Sequence, residues 1–410
     1  MQNRHDAVRH LKYLRQSLSQ DNESIGFFIS AGCPLSVEMP EGKWPLIPDV
    51  ANLTKHINNE LKNNADYTVL LGELTKAERN IENIEDILSF LRSLLSVSKG
   101  GEVRGLDEGK LIGLETAICN VIVDKINVNL PANDTPYHKL GKWIRSIDRK
   151  VAVEIFTTNY DLLTEQSLEE LEIPYFDGFV GSCKPFFDLR SVEDSLIPPH
   201  WTRLWKIHGS INWQQENHGK QKIIYRASEK KSGASHLIYP SHLKYEESRK
   251  MPYLALIDQL NRFIRKKSSF LILSGYSFND AHLNDVIVGA LKANPTGMVL
   301  GLMYGNYEHN PVNGEISIER YPEAYRLAKN QHNLNIWTFD KAIIGTNVGT
   351  WVQVHDRDDI DPDLHGFIEN HKQSDGESHS LIYQVKLGDF SVLANFLQRI
   401  IGTPKELINA

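Results

Sequence analysis

Cysteine is scarce: the 410 residues hold three, Cys33, Cys119 and Cys183, far apart along the chain. Three widely spaced thiols cannot make a four-cysteine zinc site, and no CxxC pair is present. A reducing, cytoplasmic setting is therefore expected, and no zinc. Long apolar runs are also lacking. None approaches the ~20 residues of a membrane span, and residues 1–20 are polar and amphipathic, without a signal-peptide core. Positive charge is short as well. Lys and Arg total 45 against 52 Asp and Glu, a net charge of −7, which gives no general attraction for nucleic-acid phosphates or anionic lipid. The triplet Arg265-Lys266-Lys267 suits a helix C-terminus and is too short to suggest nucleic acid. Neither a membrane nor a direct nucleic-acid partner is expected.

What is present is ordinary in bulk, 41% hydrophobic and 24% charged, with room for one large α/β domain with insertions or for two domains. The informative stretch runs from Val151 to Trp213. V-A-V-E-I-F breaks abruptly into T-T-N-Y-D, and Leu204 to Ile207 hand over in the same way to His208-Gly209-Ser210. An apolar run stopped by hydrogen-bonding side chains predicts a buried parallel strand that delivers polar groups at its carboxyl end. That edge is where open α/β sheets bind ligands. Asn159, Asp161 and His208 are accordingly the candidate catalytic residues. An amide offers paired donor and acceptor groups, and an imidazole can take up a proton near neutrality. Asp161 has a second reading as the N-cap of a helix over 162–171, and Asn159 one as a turn residue.

Elsewhere, the stripe Val8, Leu11, Leu14, Leu18 predicts a helix over 4–19. Residues 24–36 read as a short strand entering a loop of small residues, Ser30-Ala31-Gly32-Cys33-Pro34. Such a loop lets backbone N–H groups approach a pyrophosphate; an ordinary strand-to-helix turn is the alternative. Residues 37–50, with three prolines and Trp44, suit a covering loop. Helical spacing at Ile81, Ile84, Ile87, Leu88 and Leu91, then at Leu111, Leu114, Ile118, Ile122 and Ile126, predicts a helical insertion. Residues 172–190 read as an aromatic loop region, Ile211–Tyr225 as a hairpin and about Tyr245–Arg265 as a helix. A strand at Ser269–Ser274 leads through Gly275-Tyr276-Ser277-Phe278-Asn279-Asp280 into a helix ending near Lys292. Asp280, His282 and Asp285 include metal-ligating types, but Asp280 stands at an N-cap position and no further ligands follow, so no metal is expected. Strands at Met298–Met303 and Asn335–Phe339 flank a helix near 319–329.

This alternation predicts an α/β fold: a Rossmann-like, doubly wound, mostly parallel sheet with a large helical insertion and a C-terminal appendage. The expected division is an N-terminal helix over 1–24, an α/β body over 25–50 and 151–345, the insertion over 51–150 and the appendage over 346–410.

Taken in order, S-A-G-C-P, T-T-N-Y-D, K-I-H-G-S and S-G-Y-S-F-N-D resemble the sirtuin superfamily over roughly residues 25–346. Within it the chain is most similar to the bacterial anti-phage branch of sirtuin-like NAD-consuming proteins. It departs from the family in three places. Ser30-Ala31-Gly32 stands where G-A-G is usual, the four-cysteine zinc module of deacylating sirtuins is missing, and the long insertion follows the first motif.

The resemblance implies NAD as substrate. It sets Ser30, Ala31, Gly32 and Cys33 at the pyrophosphate, Asn159 and Asp161 at the nicotinamide ribose and ring, and His208 as general base. Ser274 and Gly275 would line the adenosine ribose, with Thr158 and Tyr276 as further NAD contacts. Without a zinc module to form a peptide cleft, the implied acceptor is water. The implied activity is an NAD glycohydrolase that releases nicotinamide and ADP-ribose and depletes NAD during phage infection. Chains of this branch and length commonly form homo-oligomers with a HerA-type hexameric ATPase, so both are expected, with the insertion and the appendage as contact surfaces. The loop over 37–50 would cover the site until assembly. The alternative is a non-catalytic NAD-sensing or assembly subunit.

Overall fold

The computed structural model describes residues 3–194, 196–218, 221–227, 235–238, 252–309, 317–354, 361–375 and 378–401. A ten-stranded sheet runs through it, built in chain order from β1 (Asn3–Asp6), β2 (Ile25–Ile29), β3 (Glu154–Thr157), β4 (Tyr175–Phe176), β5 (Thr202–Lys206), β6 (Phe270–Ser274), β7 (Met298–Leu302), β8 (Leu334–Trp337), β9 (Lys341–Ile344) and β10 (Asn347–Val352). Across the sheet the order is β1-β10-β9-β8-β7-β6-β2-β3-β5-β4. Neighbours run parallel except at the two junctions made by β9. From β2 the chain builds outward through β3 toward β4, then returns to β6 on the other side of β2 and builds outward again. The fold is the expected doubly wound, mostly parallel α/β sheet, and its order reverses between β2 and β6.

Both faces of the central strands are covered, which is why they read as continuous apolar runs. Ile25, Phe27 and Ile29 enter one core, closed by α1 (Ala7–Leu18) and by the helices between β2 and β3. Phe28 enters the other, under α8 (Tyr253–Ile264), α9 (Ala281–Ala293) and α10 (Pro322–Asn330). Burying each Phe contributes roughly 1.5–3 kcal/mol. Gly26 shows how tight the second face is, since a Cβ there would lie 2.7 Å from the Phe263 ring of α8.

Between β2 and β3 lie α2 (Val50–Glu60), α3 (Ala65–Lys76), α4 (Ile84–Val97), α5 (Glu108–Ile126) and α6 (Pro136–Ser146). Each starts on a side chain that accepts a backbone N–H, namely Asp49, Asn64, Asn83, Asp107 and Thr135 in turn. These caps satisfy donors the helices leave orphaned. After β3 comes α7 (Leu163–Glu170). A second, five-stranded sheet joins Ser235–Ile238, Gly209–His218, Gln221–Arg226, Phe186–Phe187 and Phe179–Val180, so the expected hairpin belongs to it, as does part of the aromatic region.

Two boundaries differ from expectation. The chain begins with a strand, β1, before its first helix, and pairs it with β10. The main sheet does not stop at residue 345, because β9 turns at Gly345 into antiparallel β10. The helix expected from Tyr245 is described from Tyr253; residues 245–251 lie outside the described residues. Of the expected appendage, α11 (Phe390–Ile400) packs on α6. Its N-cap, Asp389, accepts from the Ser36 hydroxyl at 3.0 Å. Among the described residues no helix is long and apolar enough to cross a membrane.

Candidate active site

The carboxyl ends of β2, β3, β5 and β6 lie side by side where the strand order reverses, the position at which doubly wound sheets form a crevice. Two of them are stitched together. Ser30 N–H donates to Ser274 O at 3.0 Å, Gly32 N–H to Gly275 O at 3.1 Å, and Cys33 N–H to Ser30 O at 2.9 Å. The turns can approach this closely because both carry glycine. A Cβ on Gly32 would sit 2.8 Å from Gly275 Cα.

This stitch changes the expected phosphate loop. Three of its N–H groups are spent internally, leaving Ala31 as the member whose N–H has no such partner among the described residues. Cys33 is fully buried, with its thiol donating to Ser274 O at 3.2 Å. Burial pushes that thiol up to about 12. Its side chain faces the core. Gly32, Ser274 and Gly275 likewise stand behind the cavity wall, with Ser274 fully buried.

The cavity itself measures about 240 Å³. Its floor carries Ser30, Ala31, Thr158, Asn159, Asp161, His208, Tyr276 and Asp280. Its roof is Ile47 and Pro48 from the loop after β2, Val50 and Leu53 of α2, Asn83 and Glu85 at the start of α4, and Ile126 at the end of α5. The insertion thus forms part of the candidate site.

The floor is held by its own hydrogen bonds. The Ser30 and Thr158 hydroxyls meet at 2.8 Å. Asn159 Nδ2 donates to Ser30 O at 3.3 Å, and the same side chain hydrogen-bonds Asp161. Asp161 Oδ1 also accepts from Leu163 N–H at 3.0 Å, but the N-cap of α7 is Leu162, so Asp161 braces the turn before the helix rather than serving as the expected N-cap. Burial pushes the Asp161 carboxyl up to about 6, against the pull of Lys206. Lys206, at the end of β5, is fully buried. It donates to the Asp161 carbonyl and, at 2.7 Å, to Glu165 Oε1 of α7.

His208 occupies the short hinge between β5 and the second sheet. Ile207 N–H donates to Thr157 O at 2.8 Å before it, and Ile211 N–H to Tyr160 O at 3.0 Å after it. Gly209 supplies the turn with φ of 95°. His208 Nε2 stands 3.4 Å from Asp280 Oδ2.

Sequence reasoning missed Asp280 as a neighbour of His208, because its N-cap role already accounted for it. It also missed the Lys206–Glu165 pair, although a lysine closing the apolar run L-W-K-I was a signal. Among the described residues, no three His, Cys, Asp or Glu side chains gather as metal ligands.

No curated protein matches the chain. Two solved structures share 10% and 12% identity with it, one from work on the mechanism and regulation of Sir2 enzymes and one of Sir2Tm bound to a propionylated peptide. They cover 72% and 74% of this chain and 85% and 89% of their own, at TM-scores of 0.30 and 0.32, values too low to decide anything here. What the chain resembles in sequence is the SIR2-like domain: that family model matches residues 153–325, less than half of the chain but the part that carries Thr158, Asn159, Asp161, His208, Ser274, Gly275, Tyr276 and Asp280.

Proposed function

We propose that the chain is an NAD glycohydrolase, in which water attacks C1′ of the nicotinamide ribose as the bond to nicotinamide breaks, releasing nicotinamide and ADP-ribose. The observation that carries this reading is the chemistry of the cavity wall. It presents an amide (Asn159), an imidazole (His208) and the carboxyl groups of Glu85, Asp161 and Asp280, and among the described residues no Lys or Arg lines it. A wall of that charge suits a positively charged nicotinamide ring and the oxocarbenium-like ribose that forms as the ring departs. It suits a pyrophosphate poorly, so the phosphates belong at the edge of the cavity, beside the Ala31 N–H and away from the carboxyl groups. The amide hydrogens of Asn159 are directed to Ser30 and Asp161, which leaves its carbonyl oxygen to orient the water. His208 takes the proton, a contribution on the order of 10²–10⁴-fold. The enclosing roof favours an acceptor as small as water.

The test is release of nicotinamide and ADP-ribose from NAD by wild type, Asn159→Ala and His208→Ala. Release abolished by both substitutions supports the proposal; NAD consumption untouched by His208→Ala rejects it. We further propose that this activity serves cytoplasmic anti-phage defence, in a homo-oligomer with a HerA-type hexameric ATPase. Light scattering that finds monomers with and without the ATPase would contradict the assembly.

A second reading is a non-catalytic NAD-sensing or assembly subunit. It is favoured by the loop N–H groups of Ser30, Gly32 and Cys33, which hold the fold together rather than facing the cavity. Measurable NAD binding with no nicotinamide release, even in the assembled complex, would select it.

A further inference from the structure

Asp280 uses its two carboxylate oxygens differently. Oδ1 accepts from Leu283 N–H at 3.0 Å and caps α9. Oδ2 faces His208 Nε2 at 3.4 Å, with the two side chains 8% and 12% exposed. The turn that presents Asp280 is braced. The Tyr276 hydroxyl lies 2.8 Å from Asn284 Oδ1 and 3.3 Å from Asp280 O, and Asn284 Nδ2 donates to Phe278 O at 2.8 Å. The Tyr276 ring packs on Phe28 and Phe278. This bracing holds Phe278 at φ of 60°, a conformation a bulky residue keeps only when its surroundings enforce it.

We infer that Asp280 is a positioning residue for His208, and that it selects the imidazole tautomer. An ionised carboxylate only accepts, so its favourable partner is Nε2–H; the neutral ring then carries its lone pair on Nδ1. His208 lines the cavity, and with Nε2 turned to Asp280 the inference assigns Nδ1 to a ligand there. Where the inference concerns turnover it rests on the glycohydrolase reading. Nδ1 takes a proton from the attacking water as the C1′–O bond forms, the electron pair of the broken C1′–N bond passes to nicotinamide, and His208 later returns the proton to solvent.

Two substitutions separate this role from the helix cap. Asp280→Asn keeps one oxygen for the cap and turns an NH₂ toward Nε2, which must then accept, so the ring proton moves to Nδ1. Asp280→Ser keeps a capping oxygen and removes the second contact. The full-length protein is labelled with ¹⁵N-histidine, and the His208 signals are assigned by their loss in His208→Gln. Ring ¹⁵N shifts are then read beside steady-state nicotinamide release. The expected result is Nε2–H in wild type and Nδ1–H in Asp280→Asn, with kcat lowered at least ~100-fold in both Asp280 variants and KM for NAD within about threefold. The same tautomer in wild type and Asp280→Asn, or kcat of Asp280→Asn within about threefold of wild type, overturns the inference. Should wild type release no nicotinamide while the tautomer still reverses, the positioning role stands and the glycohydrolase reading falls.

Discussion

The Gly32 N–H donates to the Gly275 carbonyl at 3.1 Å, so the turns that end β2 and β6 touch backbone to backbone where the strand order reverses. No side chain fits between them. A Cβ on Gly275 would stand 2.7 Å from Cys33 N and 2.9 Å from Cys33 Sγ, and φ there is 69°.

Gly275→Ala is therefore expected to destabilise the protein on two counts: about 1–3 kcal/mol for the left-handed backbone, and a similar amount for the clash. Gly42→Ala is the control, since φ there is 76° but a Cβ would meet nothing within 4 Å. Urea denaturation should show the Gly275 variant clearly less stable than the Gly42 variant. Equal midpoints would mean that the two turns separate at little cost.

Lys206 and Glu165 form a buried pair with side chains 1% and 9% exposed. Lys206→Met strands a carboxylate in the core and should cost about 3–5 kcal/mol. The double variant Lys206→Met/Glu165→Leu should recover much of that loss. A double-mutant cycle with no coupling would show that the pair is already separated in solution.

Asp161 makes stability depend on pH. Its folded value, about 6, lies above the ordinary 3.8 because burial disfavours the charge. The folded state therefore keeps the proton longer than the unfolded chain does. Stability from this group falls as pH rises between the two values, and the loss is complete above the folded one, at roughly 3 kcal/mol. Asp161→Asn lacks this loss and keeps an oxygen for Leu163 N–H. Relative to wild type, the variant should gain about 2 kcal/mol when denaturation is compared at about pH 7.5 and about pH 4.5. Parallel pH dependence in the two proteins would rule out the shift.

The parts of the fold that were legible are those where one physical cause dominates. The apolar runs of β2, β3 and β6 announce strands buried on both faces, and the insertion helices carry both periodicity and caps. Polar strands give no such signal. Asn3–Asp6 reads N-R-H-D and is a strand only because β10 offers it a parallel partner. β10 itself alternates between buried and more open positions, as an antiparallel neighbour does, and so passes for a change of character after Gly345. Within the cavity, T-T-N-Y-D and K-I-H-G-S were readable because polar groups follow apolar strands. The nearness of Asp280 to His208 depends on β6 and β5 flanking the β2–β3 pair, a relationship in sheet order that no local pattern encodes. The roof was hidden for a similar reason: Asn83 and Ile126 look like a cap and a helix end, and only packing turns them toward Asn159.

The bond between Ser36 and Asp389 bears on when this protein becomes complete during its own synthesis. The loop after β2 leaves the ribosome early, yet it is braced by the N-cap of α11, made some 350 positions later. β1 likewise waits for β10. Contacts this distant in sequence form late, so a nascent chain carries T-T-N-Y-D and K-I-H-G-S long before the walls around them can close. Chains arrested before residue 380 should accordingly be cut faster by protease next to Ser36 than the released chain, in which Asp389 holds that residue.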